Sequence, residues 1–157
     1  MIIFGVLLMI SYCLLFIWLT DGLRKYNLTS TFDSIADLPC VSVVISARNE
    51  ENNIDTLCNS ISLLNYPPDK LEIIIVNDRS TDNTTTLLKS WEEKVNNINV
   101  IQIKHTPIGW APKKWALNEA IASSKYNIIL QTDADCRFGK NWIKSMVQPF
   151  SNSQTGF

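Results

Sequence analysis

Residues 71–78 read LEIIIVND, and the first six of them decide the fold class. Apart from Glu72, the run from Leu71 to Val76 is entirely apolar and includes three consecutive isoleucines. Such a run lacks the alternation of apolar and polar residues that a strand with one solvated face shows, so both of its faces are expected to be buried. Strands buried on both faces are typical of parallel sheets. The run therefore predicts an α/β fold with a mostly parallel sheet.

Strand-like and helix-like patterns alternate on both sides of this run. Further strands are predicted at 41–46, 99–103 and 127–132. Helices are predicted from residue 49 to the Tyr66-Pro67-Pro68 sequence, from a Ser80 cap to about residue 93, and at 113–123 and 141–148. The order β-α-β-α-β-α-β, with connections of helix length, predicts parallel strands joined by right-handed crossovers.

The N-terminal segment differs in composition from the rest of the chain. All 29 charged residues, 14 Lys+Arg and 15 Asp+Glu, lie in 21–157. Residues 2–19 are apolar except for Gly5 and Ser11, and at about 1.5 Å per residue they make roughly 27 Å of helix. We predict a transmembrane helix over 1–20 and a linker over 21–40. A signal peptide would carry positive charge before the apolar run and a small-residue cleavage site after it, and this sequence has neither. A buried core helix is disfavoured because the apolar run is unbroken and lies at the end of the chain.

The charges that flank the apolar segment predict its orientation. Arg24 and Lys25 follow it, whereas no charged side chain precedes it. The positive-inside rule then predicts a single N-terminal span in the cell (inner) membrane, with the soluble part in the cytoplasm. The four cysteines have no CxxC spacing and would stay reduced there, so they predict neither disulfides nor a zinc site.

Charge and glycine content exclude three classes of function. The formal net charge is −1, so the chain has no dominant basic field and no nucleic-acid partner is expected. The five glycines are too far apart for a GxGxxG or a GxxxxGK[ST] motif. Dinucleotide-binding and P-loop functions are therefore excluded.

Polar residues follow three of the predicted strands, at the edge of a parallel sheet where ligands bind. The segments are Ala47-Arg48-Asn49-Glu50, Asn77-Asp78-Arg79-Ser80 and Asp133-Ala134-Asp135. In extended backbone the side chains of Asp133 and Asp135 point the same way. Two such carboxylates suit Mg²⁺ or Mn²⁺ shared with substrate phosphates, although a pair of solvated turn aspartates is the alternative.

Asp78 and Lys113 each have a structural and a functional interpretation. Asp78 would cap the next helix, but Ser80 already fills that role, which leaves Asp78 free to accept hydrogen bonds from a ligand. Lys113 opens a helix, where the dipole disfavours a positive charge. A bound phosphate would explain this lysine, and a solvated surface position remains open.

Four motifs together resemble the N-terminal half of glycosyltransferase family 2 enzymes with the GT-A fold. In chain order they are Ser46-Ala47-Arg48-Asn49-Glu50, Val76-Asn77-Asp78-Arg79-Ser80-Thr81-Asp82, Pro112-Lys113-Lys114-Trp115-Ala116-Leu117-Asn118 and Asp133-Ala134-Asp135. The chain departs from the family pattern at four positions. Ser46 replaces a proline, Asn77 an aspartate, and Arg79 and Pro112 glycines.

The resemblance implies a role for each matched residue. Ala47, Arg48, Glu50 and Asp78 would line the pocket for the donor's nucleoside, and Lys113 would approach its diphosphate. In the motif Asp133-Ala134-Asp135, the first aspartate would lie near the ribose or a metal-bound water and the second would bind the divalent metal. The implied function is inverting transfer of a sugar, from a UDP-sugar or similar donor, to a glycan, lipid or other hydroxyl acceptor.

The family's general base lies well downstream of its Asp-x-Asp motif, where this sequence continues only over 136–157. We therefore expect residues 41–157 to be the donor-binding half of an incomplete GT-A domain that does not transfer sugar alone. Two alternatives remain open. The first is a nucleotidyltransferase, which would carry a glycine-rich basic loop after the first strand, whereas residues 47–50 contain no glycine. The second is a non-enzymic membrane module that binds nucleotide-sugars.

Overall fold

A computed structural model describes residues 2–25 and 38–151 of the chain. Within these ranges four strands form one parallel sheet in the order β3-β2-β1-β4. The strands are β1 (Val41–Ala47), β2 (Leu71–Asp78), β3 (Ile98–Ile103) and β4 (Ile128–Asp133). The parallel α/β sheet predicted from the sequence is confirmed.

Helices cover both faces of this sheet. They are α2 (Ile54–Ser62), α3 (Thr84–Lys94), α4 (Pro112–Ala122) and α5 (Trp142–Val147), with 3₁₀ turns at Pro68–Lys70 and Gln148–Ser151. Buried residues of α2, α3 and α5 pack on one face of the sheet, and Ala116 and Ala120 of α4 pack on the other. Right-handed crossovers that run in opposite directions across a parallel sheet place their helices on opposite faces. The connection from β3 to β4 runs opposite to those from β1 to β2 and from β2 to β3, so its helix α4 packs on the face opposite to α2 and α3.

The isoleucine run of β2 lies at the centre of the core. Ile73 and Ile75 belong to the cluster under α2, α3 and α5, whereas Ile74 and Val76 belong to the cluster under α4. All four are at most 2% exposed. The prediction that this strand is buried on both faces is confirmed.

The strand order places a topological switch point between β1 and β4. From β1 the chain proceeds outward through β2 to β3, and it then crosses β1 to form β4 on the other side. Ser46 is paired with both Val76 and Asp133, so the carboxyl ends of three strands are level. Helices that leave such an edge in opposite directions open a crevice in which ligands of α/β proteins bind.

Two predicted helix starts were wrong. The helix expected from Asn49 begins at Ile54, because Asn49 has a positive φ of 55° and the N–H groups of the next two residues donate to Thr84 and Asp82. The helix expected from a Ser80 cap begins at Thr84, whose N–H donates to Asp82 Oδ1 at 3.1 Å. Ser80 accepts instead from the N–H of Asn49 at 3.0 Å.

The N-terminal helix α1 (Ile2–Lys25) extends five residues beyond the predicted span. Residues 4–21 within it are long enough and apolar enough to cross a membrane, judged by length and composition. Their side chains are not buried within the protein. Residues 38–40 of the predicted linker lead into β1 without helix or strand, and residues 26–37 lie outside the described residues.

Candidate functional site

A cavity of about 510 Å³ lies at the carboxyl ends of β1, β2 and β4. It is lined by Ser46, Ala47, Arg48, Glu50, Asp78, Ala111, Pro112, Lys113, Asp133, Ala134 and Asp135. We call it the strand-end cavity. Its walls come from β1 and the loop after it, from the end of β2, from the start of α4, and from the turn after β4. The structure thus brings together all eight site residues predicted from the sequence.

Hydrogen bonds hold the loops after β1 and β2 against each other. Asn49 Oδ1 accepts from the N–H of Thr81 at 2.8 Å, and the N–H of Glu50 donates to Thr84 Oγ1 at 2.8 Å. Glu51 Oε2 accepts from the N–H of Asn83 at 2.9 Å. These contacts explain why the acidic residues after β1 do not start a helix. They fix the backbone that carries two wall residues of the cavity, Arg48 and Glu50.

Asp78 is a buried carboxylate that faces two guanidinium groups. Its side chain is 6% exposed, and Arg79 Nε donates to its Oδ1 at 2.8 Å. Arg48 Nη1 lies 4.0 Å from Oδ2. A buried charge needs such partners, and the hydrogen bond to Asp78 also raises the pKa of Arg79. Ser80 does not cap the next helix as predicted, and Arg79 occupies one oxygen of the Asp78 carboxylate, so only the other oxygen faces the cavity without a hydrogen bond from Arg79.

Arg79 has a left-handed backbone, with φ of 54°. Glycine adopts this conformation without steric cost, and the family pattern has glycine here. The sequence therefore keeps a strained residue at a position where its guanidinium reaches the carboxylate next to it. A protein with the family's glycine at this position could not make the hydrogen bond from Arg79 to Asp78.

The amide of Asn77, another departure, is used inside the protein. Asn77 is 1% exposed, and its Nδ2 donates to Thr85 Oγ1 at 2.7 Å and to Gln102 Oε1 at 2.8 Å. An aspartate could not donate these two hydrogen bonds and would bury a second negative charge beside Asp78. Asn77 therefore supports the wall of the cavity.

Lys113 and Asp133 form an ion pair across the mouth of the cavity. Lys113 Nζ lies 2.8 Å from Asp133 Oδ1, and the two side chains are 59% and 48% exposed. The hydrogen bond to Asp133 raises the pKa of Lys113, and the charges of Asp133 and Asp135 act in the same direction. Ion pairs this exposed contribute about 0–1 kcal/mol to stability. A diphosphate could therefore displace this pairing at little cost.

The prediction that Asp133 and Asp135 share an extended backbone was wrong. Strand β4 ends at Asp133, and the chain then turns, with the N–H of Cys136 donating to the Asp133 carbonyl at 3.2 Å. Ala134 is buried and Asp135 is exposed. Both aspartates nevertheless line the strand-end cavity.

The two carboxylates of Asp133 and Asp135 fit a divalent ion that is also bound by a ligand. Carboxylate oxygens are the ligands that Mg²⁺ and Mn²⁺ prefer, and such ions usually keep several waters and bind phosphate oxygens. Across residues 2–25 and 38–151 no group of three His, Cys, Asp or Glu side chains could hold a metal ion. Asp133 and Asp135 would therefore need oxygens from a bound phosphate or from water to complete a metal site.

Three lining residues were absent from the predicted site. Ser46 and Pro112 directly precede the predicted site residues Ala47 and Lys113, and Ala111 lies one position before Pro112. Ser46 and Pro112 were visible as departures within two of the motifs. Ala111 belongs to the loop before α4, for which the sequence carried no such signal.

The sequence of this cavity-bearing region matches a known family. Residues 42–157 match the profile described as "Glycosyl transferase family 2". The chain belongs to this family. The match covers the parallel sheet and every wall of the strand-end cavity, so the fold is that of GT-A enzymes, as predicted.

Relatives with similar sequences are longer proteins. "Probable glycosyltransferase YdaM" of Bacillus subtilis is 37% identical over 119 residues, which are 73% of this chain and 28% of that protein. "Beta-monoglucosyldiacylglycerol synthase" of Synechocystis is 30% identical over 123 residues, 78% of this chain and 25% of that protein. The chain thus spans about a quarter of the length of these relatives.

Solved structures share the fold. The mannosyltransferase PcManGT of Pyrobaculum calidifontis, in complex with GDP-Man and Mn²⁺, has a TM-score of 0.73 at 25% identity, covering 91% of this chain and 41% of that one. TarS 1–349 of S. aureus, in complex with UDP-GlcNAc, has a TM-score of 0.60 at 26% identity, covering 69% of this chain and 30% of that one.

Proposed function

We propose that residues 41–157 bind a nucleotide-sugar donor in the strand-end cavity, and that the whole protein transfers its sugar with inversion to a hydroxyl acceptor. The proposed donor is a UDP-sugar, and the acceptor is a glycan, a lipid or another hydroxyl compound. The observation that carries the proposal is the strand-end cavity itself. Four separate chain segments deliver the eight predicted residues to it.

The chemistry of the lining residues suits the parts of such a donor. Oδ2 of Asp78 can accept from an N–H of the base, while Arg79 keeps the carboxylate in place from the other side. Arg48 and Glu50 line the same cavity as Asp78 and would contact the nucleoside of the donor. Lys113 can exchange Asp133 for a diphosphate oxygen, because its side chain is flexible and their ion pair is exposed.

We propose Asp133 and Asp135 as the metal-binding carboxylates of a DXD motif. A bound Mg²⁺ or Mn²⁺ would supply charge neutralisation for the departing nucleoside diphosphate. The chain's own contribution is to release Asp133 from Lys113 when a diphosphate arrives, and to hold Asp135 at the exposed mouth of the cavity. PcManGT has been solved with Mn²⁺, which supports the proposal.

We further propose that α1 anchors the protein in the cell membrane as a single N-terminal span, with the cavity on the cytoplasmic side. The apolar composition and length of residues 4–21 support this. Arg24 and Lys25 at the end of the helix support the orientation.

Calorimetric titration of the detergent-solubilised chain with UDP-GlcNAc tests the donor proposal. We expect saturable binding with Mn²⁺ and much weaker binding with EDTA. A parallel titration with GDP-Man shows whether the donor's nucleobase is uracil or guanine, since solved structures of similar proteins contain UDP-GlcNAc or GDP-Man. Binding of neither donor, with or without metal, would contradict the proposed function.

The substitution Lys113→Gln is expected to have two opposite effects. Donor affinity should fall about tenfold, because the diphosphate loses a charge-assisted hydrogen bond. Mn²⁺ affinity without nucleotide should rise by up to about fivefold, because Asp133 loses its cationic partner. Lys114→Gln, at the adjacent exposed lysine, is the matched control in both titrations. A fall in both affinities would show that Lys113 does not compete with the metal for Asp133.

Replacing Arg79 by glycine separates backbone conformation from side-chain contact. Arg79→Gly keeps a residue that tolerates φ of 54° but removes the guanidinium that holds Asp78. We expect donor affinity to fall about tenfold, because the carboxylate loses its fixed orientation. Arg79→Lys, which keeps the charge without the planar fork, should restore only part of the affinity. Unchanged affinity in Arg79→Gly would rule out this positioning role.

A further inference from the structure

The loop of residues 104–111, between β3 and α4, presents large apolar side chains to solvent. Ile108 is 103% exposed and Trp110 is 45% exposed. The N–H of Trp110 donates to the carbonyl of Pro107 at 3.2 Å, and Gly109 supplies a φ of 88° within this turn. Gly109 at the third position of such a turn is the residue type that a positive φ favours. The turn thus holds Ile108 at the tip of the loop, which we call the Ile108 loop.

The Ile108 loop is supported from below by the core. The Trp110 ring makes an edge contact with the Trp115 ring, at 5.2 Å between centroids. Trp115 packs in turn against the buried cluster under α4. An exposed apolar tip is therefore displayed on a rigid base, and nothing in the core requires Ile108 to be apolar.

Three lysines flank the loop in sequence. Residues 104–118 contain Lys104, Lys113 and Lys114 and no Asp or Glu, and Lys113 is paired with Asp133 across the mouth of the cavity. Lys104 and Lys114 are exposed and make no ion pair with the residues that the structure describes. Tryptophan is enriched at membrane–water interfaces, and each lysine near an anionic leaflet adds about 1 kcal/mol of attraction, so this combination favours contact with an anionic membrane surface.

We propose that the Ile108 loop docks on the anionic surface of the membrane in which α1 is anchored, with Ile108 and Trp110 entering the interface and Lys104 and Lys114 contacting lipid headgroups. This inference rests on the proposed membrane anchor. The same loop continues into Ala111, Pro112 and Lys113, which line the strand-end cavity. Docking would therefore hold the mouth of the cavity close to the bilayer, where a membrane-borne hydroxyl acceptor could reach it.

A fluorescent probe at the tip tests the proposal on the full chain in lipid nanodiscs. Ile108→Cys is labelled with an environment-sensitive dye after Cys13, Cys40 and Cys136 are replaced by serine. Cys58 needs no replacement, because burial raises the pKa of its thiol to about 12. The matched control is Leu63→Cys, at a residue 73% exposed just after α2.

In discs that contain phosphatidylglycerol, we expect doxyl-labelled lipid to quench the probe at position 108 severalfold more than the probe at position 63. Aqueous iodide should show the reverse order. Reversing the charge with Lys104→Glu and Lys114→Glu, or omitting phosphatidylglycerol, should reduce the lipid quenching to the control level. Equal iodide quenching at positions 108 and 63 in anionic discs would overturn the proposal.

The outcomes also separate this inference from the proposals on which it builds. A chain that does not co-elute with the discs would contradict the anchor. The probe at position 108 would then be mixed with anionic vesicles, and its quenching would decide the role of the loop. Failure of donor binding would appear in the calorimetric titration and leave the probe measurement unaffected.

Discussion

Asp135→Ala is expected to lower Mn²⁺-dependent affinity for the nucleotide-sugar donor by at least about 100-fold. Loss of groups that only support metal ligands already costs about 10–100-fold in metal affinity, so loss of a ligand should cost at least as much. Asp135 is exposed at the mouth of the strand-end cavity, and Asp133 beside it is paired with Lys113. Asp135 is therefore the carboxylate better placed to receive a metal first.

The matched control for this variant is Asp69→Ala. Asp69 is an exposed aspartate in the 3₁₀ turn that precedes β2, at the opposite end of the sheet. Its replacement should leave donor affinity, with and without Mn²⁺, at the wild-type value. If Asp135→Ala binds donor with the same metal dependence as Asp69→Ala, the assignment of the metal to the Asp-x-Asp turn is wrong.

Ile75→Ala is expected to lower the free energy of unfolding by about 2–5 kcal/mol. Ile75 is fully buried in β2, in the cluster under α2, α3 and α5. Its truncation would leave a cavity between a central strand and three helices, where the backbone has little freedom to close the gap. Domains of this size have only about 5–15 kcal/mol of stability, so the loss is a large share of the total.

Urea unfolding of the detergent-solubilised chain, followed by tryptophan fluorescence, measures this effect. Ile121→Ala, at a residue 48% exposed on α4, is the matched control and should change stability by less than about 0.5 kcal/mol. A loss below about 1 kcal/mol in Ile75→Ala would mean that β2 is not the centre of the core.

The fold was predictable because the core residues form continuous apolar runs in the strands and recur at helical spacing in the helices. The run from Leu71 to Val76 has no polar face, and its burial on both sides requires helices above and below the sheet. Each strand and helix expected over 41–148 is present, with most ends displaced by one to four residues. Periodicity reports which side chains are buried, and burial dominates the energetics of these elements.

The helix starts were less predictable because long-range hydrogen bonds decide them. Asn49, Glu50 and Glu51 have the composition of a helix N-terminus, yet their backbone N–H groups donate to Ser80, Thr84 and Asp82. These partners lie more than thirty positions away in sequence. Local propensity contains no information about such contacts, so tertiary structure overrides it.

The sequence predicted which residues line the candidate site but not which of them contact each other. Parallel strands end at one edge, so polar residues after β1, β2 and β4 were expected to meet there. The ion pair of Lys113 with Asp133 and the bond from Arg79 to Asp78 were not expected. Both depend on side-chain conformations and on a left-handed residue, and neither follows from the spacing of residues in the sequence.

Crystals of the full chain soaked with Mn²⁺ and UDP test the central claim most directly, through the anomalous difference density of manganese. We expect one strong peak at bonding distance from the Asp135 carboxylate, with the UDP diphosphate against both the peak and Lys113, and with Lys113 released from Asp133. A manganese peak or a UDP molecule elsewhere on the protein, with the strand-end cavity empty and Lys113 still paired with Asp133, would contradict the proposed donor site.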